Sequence, residues 1–121
     1  EAHDQVDRIS PMILRSNIIS QPSCFARRSA VTAVGGVNPN LQFVMDWDLW
    51  VRLYQSGAKF EMLQHTLSTA YMGNGTKTHQ VSMRRLQEVF RLVNRNKGIW
   101  SATKSTLSLA AETLSRRKLT A

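Results

Sequence analysis

The segment at residues 46–56 constrains the fold of this chain most strongly, because its pattern fits a helix that packs one face against a core. Aromatic residues recur at the spacing of one helical face: Trp47, Trp50 and Tyr54. Asp46 stands at its start, where a carboxylate accepts hydrogen bonds from free backbone N–H groups and favours the positive end of the helix dipole. Gly57 follows as a stop signal. Such a helix needs other elements to cover its apolar face.

The remaining pattern predicts a mixed α/β fold with few strands, short helices and a helical C-terminal tail. Short strands are predicted at residues 17–20, 58–63 and 66–72, and apolar and polar residues alternate in the second of them. A short helix is predicted at residues 29–34, with Gly35 as its stop. No complete series of alternating β-α-β units is present, so an independent nucleotide-binding fold is not expected.

Two helices are predicted after residue 80, separated by a turn that contains Gly98. The apolar stripe of the first consists of Met83, Leu86, Phe90 and Val93. The stripe of the second consists of Trp100, Thr103, Leu107, Ala111 and Leu114. We therefore divide the chain into residues 1–79 and a helical C-terminal extension at residues 80–121. The second helix is expected to dock on a membrane surface or on another part of a longer protein, with packing on its own domain as the alternative.

The chain is basic, with 16 Lys and Arg residues against 8 Asp and Glu residues and a net charge of +8. The excess is concentrated at residues 27–28, 84–97 and 116–118. A surface of this kind attracts phosphate groups, acidic lipid headgroups or nucleic acid, and charge alone does not choose among them. A solvated face is the alternative interpretation of such charge runs.

The start of the chain and its cysteine content add two expectations. The sequence begins at Glu1 and shows no signal peptide, so we expect it to start inside a longer gene product. Cys24 is the only cysteine, which excludes an internal disulfide and fits a reducing compartment. The apolar runs of the chain are shorter than the roughly 18–20 residues that are needed to cross a bilayer.

Three segments of the chain form an ordered series. They are residues 21–28 followed by Gly35 and Gly36, residues 45–53 followed by Gly57, and residues 67–71 followed by residues 76–78 and a helix that contains Glu88. In their order and spacing they resemble the later half of the catalytic domain of family 2 glycosyltransferases, over roughly residues 17–95. The resemblance implies the acceptor-side part of a GT-A-type domain, without the half that binds the nucleotide-sugar.

The resemblance implies that Asp46 is a general base. In the family, an acidic residue that is usually the second of a Glu-Asp pair stands at the start of the helix after the paired glycines, and here Met45 replaces the first acid. The base takes the proton from an acceptor hydroxyl as that oxygen attacks the anomeric carbon and displaces the nucleotide with inversion. Positioned bases accelerate such steps about 10²–10⁴-fold. From the residues alone Asp46 caps its helix, and both roles are compatible.

Further residues are assigned to substrate binding by the resemblance, each with a structural alternative. Gln21 and the turn at Gly35 and Gly36 are expected to line the acceptor and sugar pocket, although the glycines equally suit a turn with positive φ. Trp47 is expected to stack on a sugar ring or to belong to the core. Lys77 is expected to meet a diphosphate or to remain solvated. The loop around Lys77 lacks the Arg and His of the family pattern.

No metal ligand is predicted in this chain. The segment from Asp46 to Asp48 matches the Asp-x-Asp pattern that holds a divalent cation in these enzymes, but the family's metal motif lies in its earlier half, and Arg52 can pair with Asp48 one turn away.

For the full-length enzyme, the resemblance implies Mg²⁺ or Mn²⁺, a nucleotide-sugar donor and a saccharide or lipid-linked acceptor. It implies that this chain alone is inactive. It also implies a cytoplasmic location, with a peripheral position at the inner face of the plasma membrane as one option.

The alternative interpretation is a small basic module that binds nucleic acid through helices at residues 80–97 and 100–117, or a stand-alone interaction module. The net charge of +8 supports it. It gives no role to Asp46, to Asp48 or to residues 21–23, so we favour the transferase fragment and expect no nucleic-acid partner.

Overall fold

A computed structural model describes the backbone of residues 10–69 and 82–120, and the side chains of these ranges up to residue 115. Regular structure within them is helical. The α-helices are α1 (Arg28–Ala33), α2 (Met45–Gln55), α3 (Met83–Lys97) and α4 (Ile99–Thr120). Two short 3₁₀ helices, Pro11–Leu14 and Gln21–Ser23, precede α1. The predicted helices at residues 29–34 and 46–56 and the helical C-terminal tail are therefore confirmed.

The α/β prediction is wrong for the described part of the chain, which contains helices and turns but no β-strand. Residues 58–63 show the reason. Phe60 and Met62 are partly buried while Lys59 and Glu61 are exposed, so the predicted alternation of burial is present. A strand also needs a hydrogen-bonded neighbour, and no backbone ladder joins this segment to another described one.

The other two predicted strands have a similar outcome. Residues 17–20 lie in irregular structure between the two 3₁₀ helices. Residues 66–72 are described only up to residue 69, and no strand occurs in that part.

Helix α2 lies at the centre of the core, and five of its apolar side chains are buried: Trp47, Leu49, Trp50, Val51 and Leu53. They belong to the same cluster as side chains from the first 3₁₀ helix, α3 and α4: Ile13, Val89, Leu92, Val93 and Ala102. This core therefore spans the predicted boundary between residues 1–79 and residues 80–121, and the C-terminal helices help to bury α2.

Helices α3 and α4 pack against each other across the turn at Gly98, whose φ is +81°. Their buried faces differ from the predicted stripes. On α3, Met83 is 70% exposed, while the core face also includes Val89 and Leu92. On α4, all five residues of the predicted stripe are exposed, and the helix instead buries Ala102 and Thr113. Sequence periodicity thus identifies both helices. It identifies the buried face of α3 in part, because Val93 is buried and Phe90 packs against the core, but it does not identify the buried face of α4.

Candidate functional site

Asp46 is the second residue of α2 and is partly exposed. Its Oδ1 accepts a hydrogen bond from the backbone N–H of Trp47 at 2.7 Å. Its Oδ2 lies 3.4 Å from Nδ2 of Asn17, an exposed amide. The carboxylate therefore accepts from the N–H of the residue that follows it, while Oδ2 has only a long contact to a neutral group. Asp46 does not occupy the N-cap position of α2, which belongs to Val44. The ion pairs between described residues do not include Asp46.

The start of α2 depends on a carboxylate from α3. Val44, which precedes the helix, has no side-chain oxygen to cap it. Glu88, which is 5% exposed, accepts from the backbone instead. Its Oε2 accepts from the N–H of Phe43 at 2.8 Å and from that of Val44 at 3.3 Å, and its Oε1 accepts from the N–H of Gln42 at 3.1 Å. Glu88 thereby fixes the backbone that leads into Asp46.

These contacts set the ionisation of Glu88. Burial by itself raises the pKa of this carboxyl. Hydrogen bonds from the backbone of Phe43, Gln42 and Val44 and from the side chain of Arg84 lower the pKa. The net pKa shift is downward. Arg84 Nε lies 3.1 Å from Oε1 of Glu88. The fold therefore favours the ionised form of Glu88.

We expect Glu88→Gln to flatten the dependence of stability on pH in the acid range. A carboxyl whose pKa is lower in the folded state stabilises the fold above its unfolded-state pKa, about 4.3 for Glu, and this stabilisation is lost as the pH falls through the folded-state value. Urea denaturation from neutral pH to about pH 3 should show a larger loss of the free energy of unfolding in the wild type than in the variant.

At neutral pH, Glu88→Gln should itself lower the free energy of unfolding by about 1–3 kcal/mol, because charge-assisted hydrogen bonds from buried N–H groups are weakened. Glu61→Gln removes a carboxylate from an exposed side chain, and this matched control should keep the wild-type stability at neutral pH. Identical pH profiles for the wild type and Glu88→Gln contradict the role that we assign to Glu88.

Asp48 has a different environment from Asp46 on the same helix. Its side chain is 2% exposed, its Oδ2 lies 2.8 Å from Nε of Arg52, and its Oδ1 lies 2.7 Å from Nη2 of Arg95. The pair with Arg52 is the predicted one, and Arg95 comes from α3. Both oxygens of Asp48 therefore face guanidinium groups, and the carboxylate connects α2 to α3.

This arrangement does not suit a metal at the Asp-x-Asp segment, because a divalent cation needs oxygen ligands that are not held by competing cations. The described ranges contain no group of three or more His, Cys, Asp or Glu residues that could hold a metal ion. The Mg²⁺ or Mn²⁺ that the resemblance implies for a full-length enzyme stays a prediction.

Trp47 belongs to the core. Its side chain is 5% exposed, and its Nε1 donates a hydrogen bond to the carbonyl oxygen of Ile13 at 2.6 Å. The predicted stacking on a sugar ring is therefore not supported by the structure, because core residues cover the indole. Trp47 instead fixes the start of α2 against the first 3₁₀ helix.

The two glycines form the turn that follows α1. Gly35 has a φ of +86° and Gly36 a φ of +70°, which side chains with a Cβ rarely adopt. The turn interpretation of this pair is therefore confirmed. Arg52 ties the turn to α2, since its Nη1 donates to the carbonyl oxygen of Val34.

Gln21 and Lys77 are the remaining predicted substrate residues. Gln21 is exposed at the start of the second 3₁₀ helix. No hydrogen bond in the described ranges joins Gln21 or the glycine pair to Asp46. Lys77 lies outside the described residues. The contacts thus bring Asn17, Trp47 and Asp46 together, and a shared pocket with Gln21 stays a prediction.

Asn17 and the capping role of Glu88 were not predicted from the sequence. Both contacts join residues that are far apart in the chain, 29 positions for Asn17 and Asp46 and 44 for Val44 and Glu88. Helical periodicity carries no signal for such pairs. The sequence offers one signal for the role of Glu88, which is the one acidic residue in the basic stretch at residues 84–97.

In comparisons with known proteins, no family model, no curated protein and no solved structure matches this chain. The observations that bear on function are therefore the ordered series of three segments and the geometry around Asp46.

Proposed function

We propose that this chain is the acceptor-side part of an inverting family 2 glycosyltransferase, in which Asp46 is the general base. One observation carries the proposal, namely the contrast between the two carboxylates at the start of α2. Asp48 is buried between two guanidinium groups, whereas Asp46 is partly exposed and contacts a backbone N–H group and the amide of Asn17. A general base needs an accessible carboxylate with a free lone pair, and Asp46 meets this requirement better than Asp48.

The proposed step transfers a sugar to an acceptor hydroxyl. The acceptor oxygen forms a bond to the anomeric carbon while the bond from that carbon to the diphosphate oxygen breaks, and the nucleotide diphosphate leaves. The proton of the hydroxyl passes to Oδ2 of Asp46, since Oδ1 already accepts from the N–H of Trp47. Attack on the face opposite the leaving group inverts the configuration of the anomeric carbon.

The surroundings of Asp46 support such a role in two further ways. The side chain is placed by a helix start, and that start is held by Glu88 and by the buried indole of Trp47. A base that is positioned by rigid elements keeps its geometry during turnover. The amide of Asn17 is close enough to orient Oδ2 or to donate to an acceptor oxygen beside it.

The proposal is tested with the longer protein that it requires. The coding sequence upstream of Glu1 should encode a donor-binding half with an Asp-x-Asp motif. The purified full-length protein should release a nucleotide diphosphate from a nucleotide-sugar when a saccharide or lipid-linked acceptor is present, and the 121-residue chain alone should release none. An upstream region without that motif, or a folded full-length protein that transfers no sugar from a broad donor and acceptor panel, contradicts the proposal.

A further inference from the structure

The outer face of α4 is apolar and exposed. Its five residues are those of the stripe at Trp100, Thr103, Leu107, Ala111 and Leu114. The side chain of Trp100 is 87% exposed, that of Leu107 65% and that of Leu114 55%. Ile99, beside Trp100 at the turn between the helices, is 60% exposed. A helix that presents several large apolar side chains to water is an interaction surface, whereas single exposed apolar residues are ordinary.

The apolar surface continues from α4 onto α3. A groove of about 280 Å³ lies between the two helices, lined by Met83, Leu86, Gln87, Phe90, Arg91 and Thr106. Thr106 belongs to α4, and Thr103 and Ala110 are its neighbours one turn away on the same side of the helix. We call the stripe and this groove together the outer hairpin face.

Most of the positive charge of the chain belongs to these two helices. Residues 82–120 contain nine Lys and Arg residues and two acidic residues, Glu88 and Glu112. Glu88 is buried. Arg91, Lys97 and Lys104 are exposed, and Arg91 lines the groove itself. The outer hairpin face therefore combines large apolar side chains with a surrounding field that attracts anions.

We propose that the outer hairpin face docks on an anionic lipid bilayer, with Trp100 and Leu107 at the level of the headgroups. Protein interfaces are depleted of Lys, and Lys97 and Lys104 are exposed on this hairpin. Helices that lie in a membrane interface combine Trp and Leu on one face with Lys and Arg beside it. Each basic residue near an anionic surface adds to the attraction. Binding to acidic lipid is independent of sugar transfer, so either proposal can fail alone.

In this proposal the hairpin of α3 and α4 lies on the surface of the bilayer and does not cross it. No helix in the described ranges has the length and the apolar character that crossing a membrane requires. Trp is favoured at the headgroup level because its ring is apolar while its N–H group finds polar partners.

The test uses the 121-residue chain with vesicles of phosphatidylcholine alone or of phosphatidylcholine mixed with phosphatidylglycerol. We expect co-sedimentation with the anionic vesicles, little with the neutral ones, and weaker binding at high salt. Trp emission should shift to shorter wavelength on binding, and Trp100 should cause the shift, because Trp47 and Trp50 are each 5% exposed and already buried. Trp100→Phe should keep most of the binding and lose most of the shift.

The variant Trp100→Ser combined with Leu107→Ser should partition about tenfold more weakly. Both side chains are exposed, so the fold should persist, which circular dichroism checks. Phe25→Ser is the matched control, because Phe25 is 82% exposed but lies outside the hairpin; it should bind as the wild type does.

Several outcomes overturn the proposal. They are absence of binding, equal binding to both vesicle types, and equal binding by the wild type and the double variant. Self-association of the chain that the double variant abolishes, seen by sedimentation velocity without any binding to vesicles, would assign the outer hairpin face to a protein contact instead.

Discussion

Asp46→Asn is expected to lower the turnover of the full-length protein by about 10²–10⁴-fold while leaving nucleotide-sugar binding largely intact. Asn has nearly the same shape as Asp and keeps an oxygen that can accept from the N–H of Trp47, so the contact at the helix start is retained. What is lost is the group that takes a proton from the acceptor. Steady-state release of the nucleotide diphosphate measures turnover, and titration with the donor measures its binding.

Two controls distinguish a role of Asp46 as a base from a structural role. The free energy of unfolding of Asp46→Asn should stay within about 1 kcal/mol of the wild type, because Asn keeps an oxygen that accepts at the helix start. Glu61→Gln removes a carboxylate elsewhere and should keep wild-type turnover. If Asp46→Asn retains turnover within a few-fold, or loses it only together with its fold, Asp46 is not the base.

Asp48→Asn is expected to cost about 2–4 kcal/mol in the free energy of unfolding, which makes it the most destabilising single substitution that we propose. Asp48 is 2% exposed and accepts from two guanidinium groups. The substitution leaves Arg52, whose side chain is 23% exposed, without its ionic partner. Arg52 also has a buried Nη2 that lacks a hydrogen-bond partner among the described residues, so it is poorly placed to find a new one.

Arg95→Gln is the matched control for Asp48→Asn. The side chain of Arg95 is 56% exposed, so water screens its half of the interaction and the expected cost is below about 1 kcal/mol. Urea denaturation of both variants and of the wild type gives the comparison. A loss of less than about 1 kcal/mol for Asp48→Asn would show that the buried carboxylate is not needed to hold α2 to α3.

The sequence predicted the helices well because their signals are local. The predicted span at residues 46–56 differs from α2 (Met45–Gln55) by one residue at each end. Gly57, which is predicted to end α2, and Gly98, in the predicted turn before α4, have φ values of +79° and +81°. Such signals act within a few residues and do not depend on the rest of the fold.

The strands and the buried faces could not be predicted in the same way. The alternation around Phe60 indicates which side chains are buried. The same alternation occurs in an extended segment that has no hydrogen-bonded neighbour and in a true strand. Helix α3 has apolar residues towards the core, such as Val89, and towards the groove, such as Met83, while Phe90 contacts both. Local periodicity cannot decide which face is covered, because this depends on residues elsewhere in the chain.

The candidate site was predicted only in part for the same reason. The position of Asp46 in the first turn of α2 was predicted from local signals, while its role as a base stays a prediction. Trp47 was assigned both a core and a substrate role, and its burial together with its hydrogen bond to Ile13 distinguishes them. The hydrogen bonds of Glu88 to the backbone before α2 have no local signature, since they join segments 44 to 46 residues apart.

The contact between Glu88 and the loop before α2 also has a consequence for the order of folding. While the chain is being synthesised, the N–H groups of Phe43 and Val44 lack the carboxylate acceptor of the folded state until residue 88 has emerged. Closing a loop of this length is entropically costly and becomes favourable only when the contacts at its ends form together. We therefore expect the start of α2, and with it the position of Asp46, to be completed together with the docking of α3.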